Sequence, residues 1–431
     1  MRESQSEVLV VGAGPVGLWT ALVLVDAGVE VTIMDQEQRT TARSYACALH
    51  PHTLKLLERL GLARELLAHG RRVGKVAFYD GAERQAELTL SDPGGEFPFL
   101  LILPQNVLEQ VLEQRLRQRG VPVHWNHRFV DCAEEESSVA VTVEELEGTS
   151  TGYIVPHWET VVKERTTVRA QFLVGADGHN STVRQKLGLG QERIGEPEMF
   201  AAYEFETEPG SLDEVRVVLD STSTNVLWPL PGNRLRWAFQ LLHGDAKEFP
   251  EKERRGARLA EPQADERICQ HIRKMAGRRA PWFADAIKDL VWCSEVGFER
   301  KLVKSFGSSR CWVAGDAAHQ TGPVGVQSMN AGFVEGKRLA GTLRKILQQQ
   351  ALPELLATGY GQEQTNEWRR SLGFQGGLQG QKEATAWVRE HAQRLLPCLP
   401  GGGDDLSQLA AQIHLGWAPT PENELSLSRK V

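Results

Sequence analysis

No two of the six cysteines stand in a Cys-x-x-Cys pair, the spacing that a zinc framework or a dithiol redox centre requires. Scattered singly at Cys47, Cys132, Cys269, Cys293, Cys311 and Cys398, they read as reduced, buried thiols and predict a reducing compartment, hence the cytoplasm. The chain also lacks any run of 18 apolar residues, and its first residues carry no basic-then-apolar leader, so it predicts neither a transmembrane nor a targeting segment. An excess of positive charge is missing too. Lys and Arg number 49 against 56 Asp and Glu, and the formal charge of −7 repels a phosphate backbone, so no nucleic-acid partner is expected. There is no internal repeat. What is left, 431 residues with 41% hydrophobic and 24% charged positions, excludes fibrous and wholly disordered classes and leaves ample apolar material for a core.

The first pattern with chemical meaning lies near the N-terminus. Glu7-Val8-Leu9-Val10-Val11 is a β-branched apolar run, broken by Gly12-Ala13-Gly14-Pro15-Val16-Gly17 and followed by a helical stretch to Ala27; a second strand over residues 29–34 ends at Asp35. Strand, glycine turn, helix and strand in that order give a Gly-x-Gly-x-x-Gly pattern the setting of a dinucleotide site. Gly12 permits the tight turn, Gly14 lets the backbone approach a pyrophosphate, and Gly17 lets the helix pack on the sheet. Free amides at the helix start then face the phosphates. Asp35, about 20 residues further on, stands where a carboxylate accepts hydrogen bonds from a ribose. The rival reading is a plain tight turn, with Asp35 capping the next segment. FAD and NAD are not separated by this unit, and no second fingerprint follows a strand downstream, so one tightly held dinucleotide is expected.

Helical patterns recur at residues 51–60 and 107–119, each followed by glycine. Alternation at 139–143 predicts a strand, the polar stretch 144–167 a hairpin or surface excursion, and Phe172-Leu173-Val174 a buried strand entering Gly175-Ala176-Asp177-Gly178. Between 199 and 242, short strands are broken by Pro and Gly, and Leu235, Trp237, Phe239 and Leu241 alternate with Arg236, Ala238 and Gln240. That is the pattern of an antiparallel sheet with one apolar face. Residues 248–286 are charged and helix-prone. Cys311-Trp312-Val313-Ala314 predicts another buried strand entering Gly315-Asp316, ahead of a long helix from Met329 toward Gln350. A Pro/Gly-rich break covers 397–405, and from Pro419 the composition is that of a frayed tail.

Three segments, Gly12-x-Gly14-x-x-Gly17, Asp177-Gly178-His179-Asn180-Ser181-Thr182-Val183-Arg184 and Gly315-Asp316-Ala317-Ala318-His319, share an order and spacing with one known family. They resemble the single-component FAD-dependent aromatic hydroxylases of the para-hydroxybenzoate hydroxylase fold. Leu49-His50-Pro51-His52-Thr53-Leu54 with Leu60-Gly61-Leu62 also looks like the family's segment after its second strand, and Pro104-Gln105 before Leu108-Glu109 like its flavin-contacting glutamine. The resemblance implies an α/β fold: a Rossmann-like FAD-binding domain with a parallel sheet, plus an antiparallel β-sheet substrate domain (α+β) and C-terminal helices. The expected division is 1–75, 100–190 and 287–350 for FAD, 76–99 and 191–286 for substrate, a C-terminal helical region over 351–418, and a tail over 419–431.

Residue roles follow from the same resemblance. Asp316 is expected to bond ribityl and ribose hydroxyls of FAD, Asp177 to support the pyrophosphate, and Gln105 to contact the flavin. Arg43, two positions ahead of Tyr45-Ala46 where the family has Arg-Ala, is expected on the FAD phosphates, the rival being a solvent-facing arginine. Arg184 is expected to receive NAD(P)H, the transient co-substrate. The family's Pro-Pro-x-Gly-Gly-Gln-Gly-x-Asn loop is matched here at Pro323, Gly325, Gln327 and Asn330, while Gly322, Val326 and Ser328 depart from it. Amides around Met329 and Asn330 are expected to face flavin N1 and O2 and to stabilise negative charge in the reduced ring. Pro323 stands on the flavin and substrate side of that loop, Gly325 on its cofactor side, and Trp228, ahead of Pro229-Leu230-Pro231, is a candidate for the substrate pocket. No metal is expected: residues 332–337 make a phosphate-type loop one residue short, and His50-x-His52 has no companion ligands.

The activity implied is hydroxylation of an aromatic or polyketide-like small molecule with NAD(P)H and O₂, through a flavin C4a-hydroperoxide, the cofactor carrying the hard chemistry. A reductase or dehydrogenase of the same fold, acting on an isoprenoid or other unsaturated substrate without oxygen insertion, is the alternative; a non-catalytic flavin-binding partner protein is a third. Lack of a Trp-x-Trp-x-Ile-Pro string argues against the related flavin halogenases.

Overall fold

Val8, Leu9 and Val10 are wholly buried, and a strand apolar on both sides needs neighbours on both edges and cover on both faces. In the computed structural model, which describes residues 5–39, 48–91, 95–151, 157–208, 210, 212–242, 262–283, 290–374 and 376–418, that strand, Gln5–Val11, sits at the middle of a sheet. Across the sheet run Gly307–Ser308, Cys311–Val313, His157–Gly175, Gln5–Val11, Val31–Met34 and Val123–His124, parallel from Cys311–Val313 onward. Register places Met34 beside Val11, Val11 beside Gly175, and Gly175 beside Val313, so four strands end abreast. The turns that follow them therefore emerge side by side at one edge, where ligands of open α/β sheets bind. In the polar stretch 144–167, expected as a hairpin or surface excursion, the described residues pair: Val139–Thr151 runs antiparallel to His157–Gly175 and to His127–Glu134.

The helix Pro15–Asp26, buried along most of its length, lies against Gln327–Gln349 and Gln105–Gln118. The first of these approaches is close because Gly332 and Gly336 face Val16 and Thr20, where a Cβ would overlap their side chains. Trp19 locks the pair, its Nε1 donating to Phe333 O at 2.8 Å and its ring stacked on Phe333.

A second sheet runs His319–Gln320, Leu290–Val303, Gln191–Glu206, Arg234–Leu241, Thr224–Leu230, Val215–Leu219, Lys75–Asp80 and Glu83–Thr89, antiparallel except between Val215–Leu219 and Lys75–Asp80. Leu290–Val303 thus belongs to this sheet, although the sequence division placed 287–350 with the FAD unit; its mixed burial gave no clean alternation to read. Both faces of the sheet are covered rather than one. Leu235, Trp237 and Phe239 pack under the helix Pro262–Arg279, while Val226, Trp228, Leu230 and Ala238 face the C-terminal helices Ala386–Leu395 and Gly403–Gln412. A short ladder between Leu378–Gly380 and Leu415–Trp417 closes that C-terminal region. Among the described residues no helix is long and apolar enough to cross a membrane, and Cys132, Cys269, Cys293, Cys311 and Cys398 are free thiols.

Candidate active site

Where the four strands end, the glycines of the first motif serve three separate purposes. Gly12, at φ 106°, lets the chain turn directly under the second motif, since a Cβ there would overlap the Ala176 carbonyl oxygen. Gly17 passes so near that a Cβ would overlap the Gly12 carbonyl oxygen, so its role is packing and it does not line the cleft. Gly14, by contrast, has ordinary extended geometry and nothing within 4 Å of where its Cβ would be. The space it leaves open is a cleft of about 730 Å³ between the two sheets.

Asp35 is fixed at the rim of this cleft. Its Oδ2 accepts from Ala13 N at 2.6 Å and its Oδ1 from Glu37 N at 2.8 Å, so it braces the glycine turn and also caps the chain that follows it. Gln105 and Glu109, one helical turn apart, also line the cleft, with Gln105 Nε2 donating to Glu109 at 2.7 Å. Arg43 lies outside the described residues.

The second motif contributes Asp177, which accepts from Ser181 Oγ at 2.5 Å and from Val183 N at 3.1 Å. Burial pushes its pKa above the usual carboxylate value against the pull of those bonds. Arg184 is turned inward. Its guanidinium donates to Ala317 O at 3.0 Å and to His179 O at 3.1 Å, and burial lowers its pKa while Asp177 opposes the shift. It is not among the residues lining the cleft. The side chain, expected from the sequence to receive NAD(P)H, here ties the second motif to the third.

The third motif brings Asp316 into the cleft, exposed and hydrogen-bonded by Ser328 Oγ at 2.6 Å. Behind it His319 is fully buried, with Nε2 2.8 Å from the Glu335 carboxylate and its ring stacked on Trp368 at 3.7 Å. Glu335 also accepts from Gly315 N at 3.0 Å and from Trp368 Nε1. Three donors around one buried carboxylate satisfy a group that would otherwise be costly to bury.

The loop that follows is held from both sides. His50 Nε2 donates to Gly325 O at 2.9 Å, and burial drives the His50 pKa down to about 4, so the imidazole is neutral. Asn330 Oδ1 accepts from His50 N and Thr53 Oγ1, both at 2.8 Å, while its Nδ2 donates to Ala48 O at 3.0 Å and Val326 O at 2.8 Å. The side chain of Asn330 is therefore spent on shaping the loop. On the other side Gly325 N donates to Pro397 O at 3.0 Å, and Gln327 Nε2 donates to Leu396 O at 3.0 Å and Leu399 O at 2.9 Å. A Cβ at Gly325 would sit 2.7 Å from Pro397 O, so this glycine makes room for the C-terminal segment and does not line the cleft. Pro323 and Met329 do line it, with Val296, Phe298 and Thr321 from the second sheet's side. First-turn amides of the helix Gln327–Gln349 have no partner within the helix, and Ser328 and Met329 of that turn line this end of the cleft. Trp228, the sequence's candidate for the pocket, is 3% exposed in the core that also holds Val326 and the C-terminal helices; it is not itself part of the cleft wall, although Val326, Phe298 and Met329, which are, belong to or pack on the same core.

Sequence reasoning missed Ser328, Glu335 and His50 as parts of the site. Glu335 had a usable signal, since an acid among Gly332, Phe333 and Leu339 falls on the buried face of the helix.

The cradle can now be matched to a ligand: three turns abreast, an open position at Gly14, a rim carboxylate at Asp35, a second at Asp316 and a helix N-terminus at the far end. A family model described as FAD binding domain matches residues 5–371. The chain belongs to the FAD-dependent aromatic hydroxylase family. It is 30% identical over 357 residues to a 6-methylpretetramide 4-monooxygenase of Streptomyces rimosus, across 82% of this chain and 58% of that protein, so it spans under two thirds of that relative's length. To a para-nitrophenol 4-monooxygenase of Pseudomonas sp. strain WBC-3 it is 27% identical over 365 residues, across 82% of this chain and 81% of the other. The crystal structure of a p-nitrophenol 4-monooxygenase from Pseudomonas putida DLL-E4 superposes with TM-score 0.71 at 20% identity, covering 96% of this chain and 95% of that one. This flavoprotein family accounts for the residues present. Gly12, Gly14, Asp35, Gln105, Asp177, Asp316 and Met329 all line one continuous cleft.

Proposed function

We propose that this chain is an NAD(P)H- and O₂-dependent monooxygenase that hydroxylates an aromatic or polyketide-like small molecule. The observation that carries the reading is the convergence of all three FAD motifs on one cleft whose far end, at Pro323 and Met329, opens against the apolar Val296 and Phe298 of the second sheet. FAD, when bound, supplies the redox and oxygen chemistry. The chain's own residues bind and orient: the Gly12–Gly17 turn and Asp35 seat the adenosine diphosphate half, Asp177 and Asp316 the middle, and the amides from Gln327 onward the ring end. Val296, Phe298 and Pro323 form a wall against which a planar ring packs and from which water is displaced, the condition for oxygen to reach the substrate and not escape as peroxide. The free thiols fit a reducing, cytoplasmic setting.

The test uses purified holoenzyme. Without substrate it oxidises NAD(P)H slowly and releases H₂O₂; with a panel of phenols beginning with p-nitrophenol, an accepted compound raises the rate and its product carries label from ¹⁸O₂. Product labelled only from water, or turnover without O₂ consumption, overturns the reading in favour of a reductase or dehydrogenase.

A further inference from the structure

Ser328 stands where the family loop has glycine, and the structure gives its hydroxyl a task. The Oγ donates to Asp316 Oδ1 at 2.6 Å and lies 3.3 Å from His319 Nδ1, whose other nitrogen is paired with the buried Glu335. Asp316 itself is exposed in the cleft, and no other bond to its carboxylate is recorded among the described residues. An exposed aspartate with no partner moves among staggered rotamers, and ligand binding must select one of them. Ser328, seated in the first turn of a 23-residue helix and backed by a fully buried His–Glu pair, removes that freedom from one side.

We propose that Ser328 is a positioning residue that fixes the Asp316 carboxylate, through its Oδ1, in the orientation that receives FAD. The inference rests on FAD being the ligand of this cleft. One carboxylate oxygen is occupied by the serine hydroxyl and the other is left to accept from the ligand, so the bond preorganises the carboxylate without consuming it. The rigid part is Glu335. With Gly315 N, His319 and Trp368 all directed at one carboxylate, the strand-to-helix turn and the helix are tied together, and the distance between Asp316 and Ser328 is set by the fold and not by the loop.

The experiment titrates FAD into apo-protein and follows flavin fluorescence, with Ser328→Ala, Ser328→Thr, Asp316→Ala and the double variant. Ser328→Ala should raise the Kd about ten-fold, the scale of one charge-assisted hydrogen bond, with the melting temperature of the apo-protein unchanged. Ser328→Thr, which keeps the hydroxyl, should restore binding. In an Asp316→Ala background the serine change should have no further effect, the coupling that defines a shared interaction. A Kd for Ser328→Ala within two-fold of wild type overturns the inference, as does an equal loss in both backgrounds. Should Asp316→Ala bind too weakly to titrate, the Ala and Thr variants decide alone: equal weakening by both refutes the role of the hydroxyl. Failure of the wild-type chain to bind FAD at all is a different outcome, and it removes the cofactor assignment itself.

Discussion

Replacing Gly14 by valine separates the stability of the glycine turn from its function. At this position φ is −72° and ψ −180°, a conformation any residue adopts, and no atom lies within 4 Å of the added Cβ. The added Cβ therefore meets no protein atom as it enters the cleft; the main cost to the protein is a favourable helix cap, about 1 kcal/mol, partly offset by the lower entropy of the unfolded chain. For a pyrophosphate the same substitution is severe. Branched carbon fills the approach to the helix amides, and loss of two charge-assisted hydrogen bonds at about 1.5–3 kcal/mol each weakens FAD by about 10²- to 10⁴-fold. Alanine at Gly12 or Gly17 should behave in the opposite manner. There the new carbon overlaps a backbone carbonyl that cannot move without displacing a strand end, so the apo-protein itself should lose more than about 3 kcal/mol. Denaturant unfolding of the apo-proteins beside FAD titration would measure both quantities. If Gly14→Val binds FAD with wild-type affinity, or if Gly12→Ala is as stable as Gly14→Val, the geometric reasoning is wrong.

Two further outcomes follow from buried side chains. Arg184→Ala should lower stability by about 2–4 kcal/mol and deplete FAD together, because the two lost bonds join the segments that carry Asp177 and Asp316; full FAD content with a raised apparent Kd for NAD(P)H in stopped-flow reduction would instead restore a cofactor-facing role. His50, with its folded pKa lowered from 6.5 to about 4, takes up a proton on unfolding, so stability should be fully present above pH 6.5, fall by at most about 3 kcal/mol as the pH drops to 4, and change no further from this group below that. His50→Gln, measured by urea unfolding across that range, should flatten this part of the profile; an unchanged slope would show that other groups carry it.

What the sequence revealed and what it hid divide along physical lines. Val8, Leu9 and Val10, or Phe172, Leu173 and Val174, declare a strand buried on both faces by composition alone, and glycine at a strand end declares a turn. Gly12, Asp177 and Asp316 each follow such a strand, and the resemblance of their three motifs to one family assigned them to one site. Leu290–Val303 escaped because its residues are mostly half-buried, an intermediate state with no period to detect. Arg184 and Trp228 are a different case, because the direction of a side chain depends on partners far along the chain: Ala317 for the arginine, Val326 and the C-terminal helices for the tryptophan. Local sequence sets where a residue is; which way it faces is a property of the assembled layers.

That distinction bears most heavily on the loop at the Pro323 end of the cleft, where Gly322, Val326 and Ser328 replace the residues usual in the family. Val326 adopts φ 48°, a left-handed conformation that a β-branched residue holds only at a cost of about 1–3 kcal/mol. The loop's own sequence cannot supply that energy. Its neighbours can: Asn330 Nδ2 grips Val326 O, His50 grips Gly325 O, Pro397 O receives Gly325 N, and Gln327 reaches the carbonyls of Leu396 and Leu399. These bonds come from three parts of the chain, one following the second strand, one at the helix itself and one near residue 397, beyond the end of the matched family model at residue 371. The C-terminal region is thus more than a cover for the second sheet. It holds the strained turn from which the helix Gln327–Gln349 begins, so the loop keeps its shape without the family's glycine pattern, with the constraint moved from the loop's composition to its surroundings.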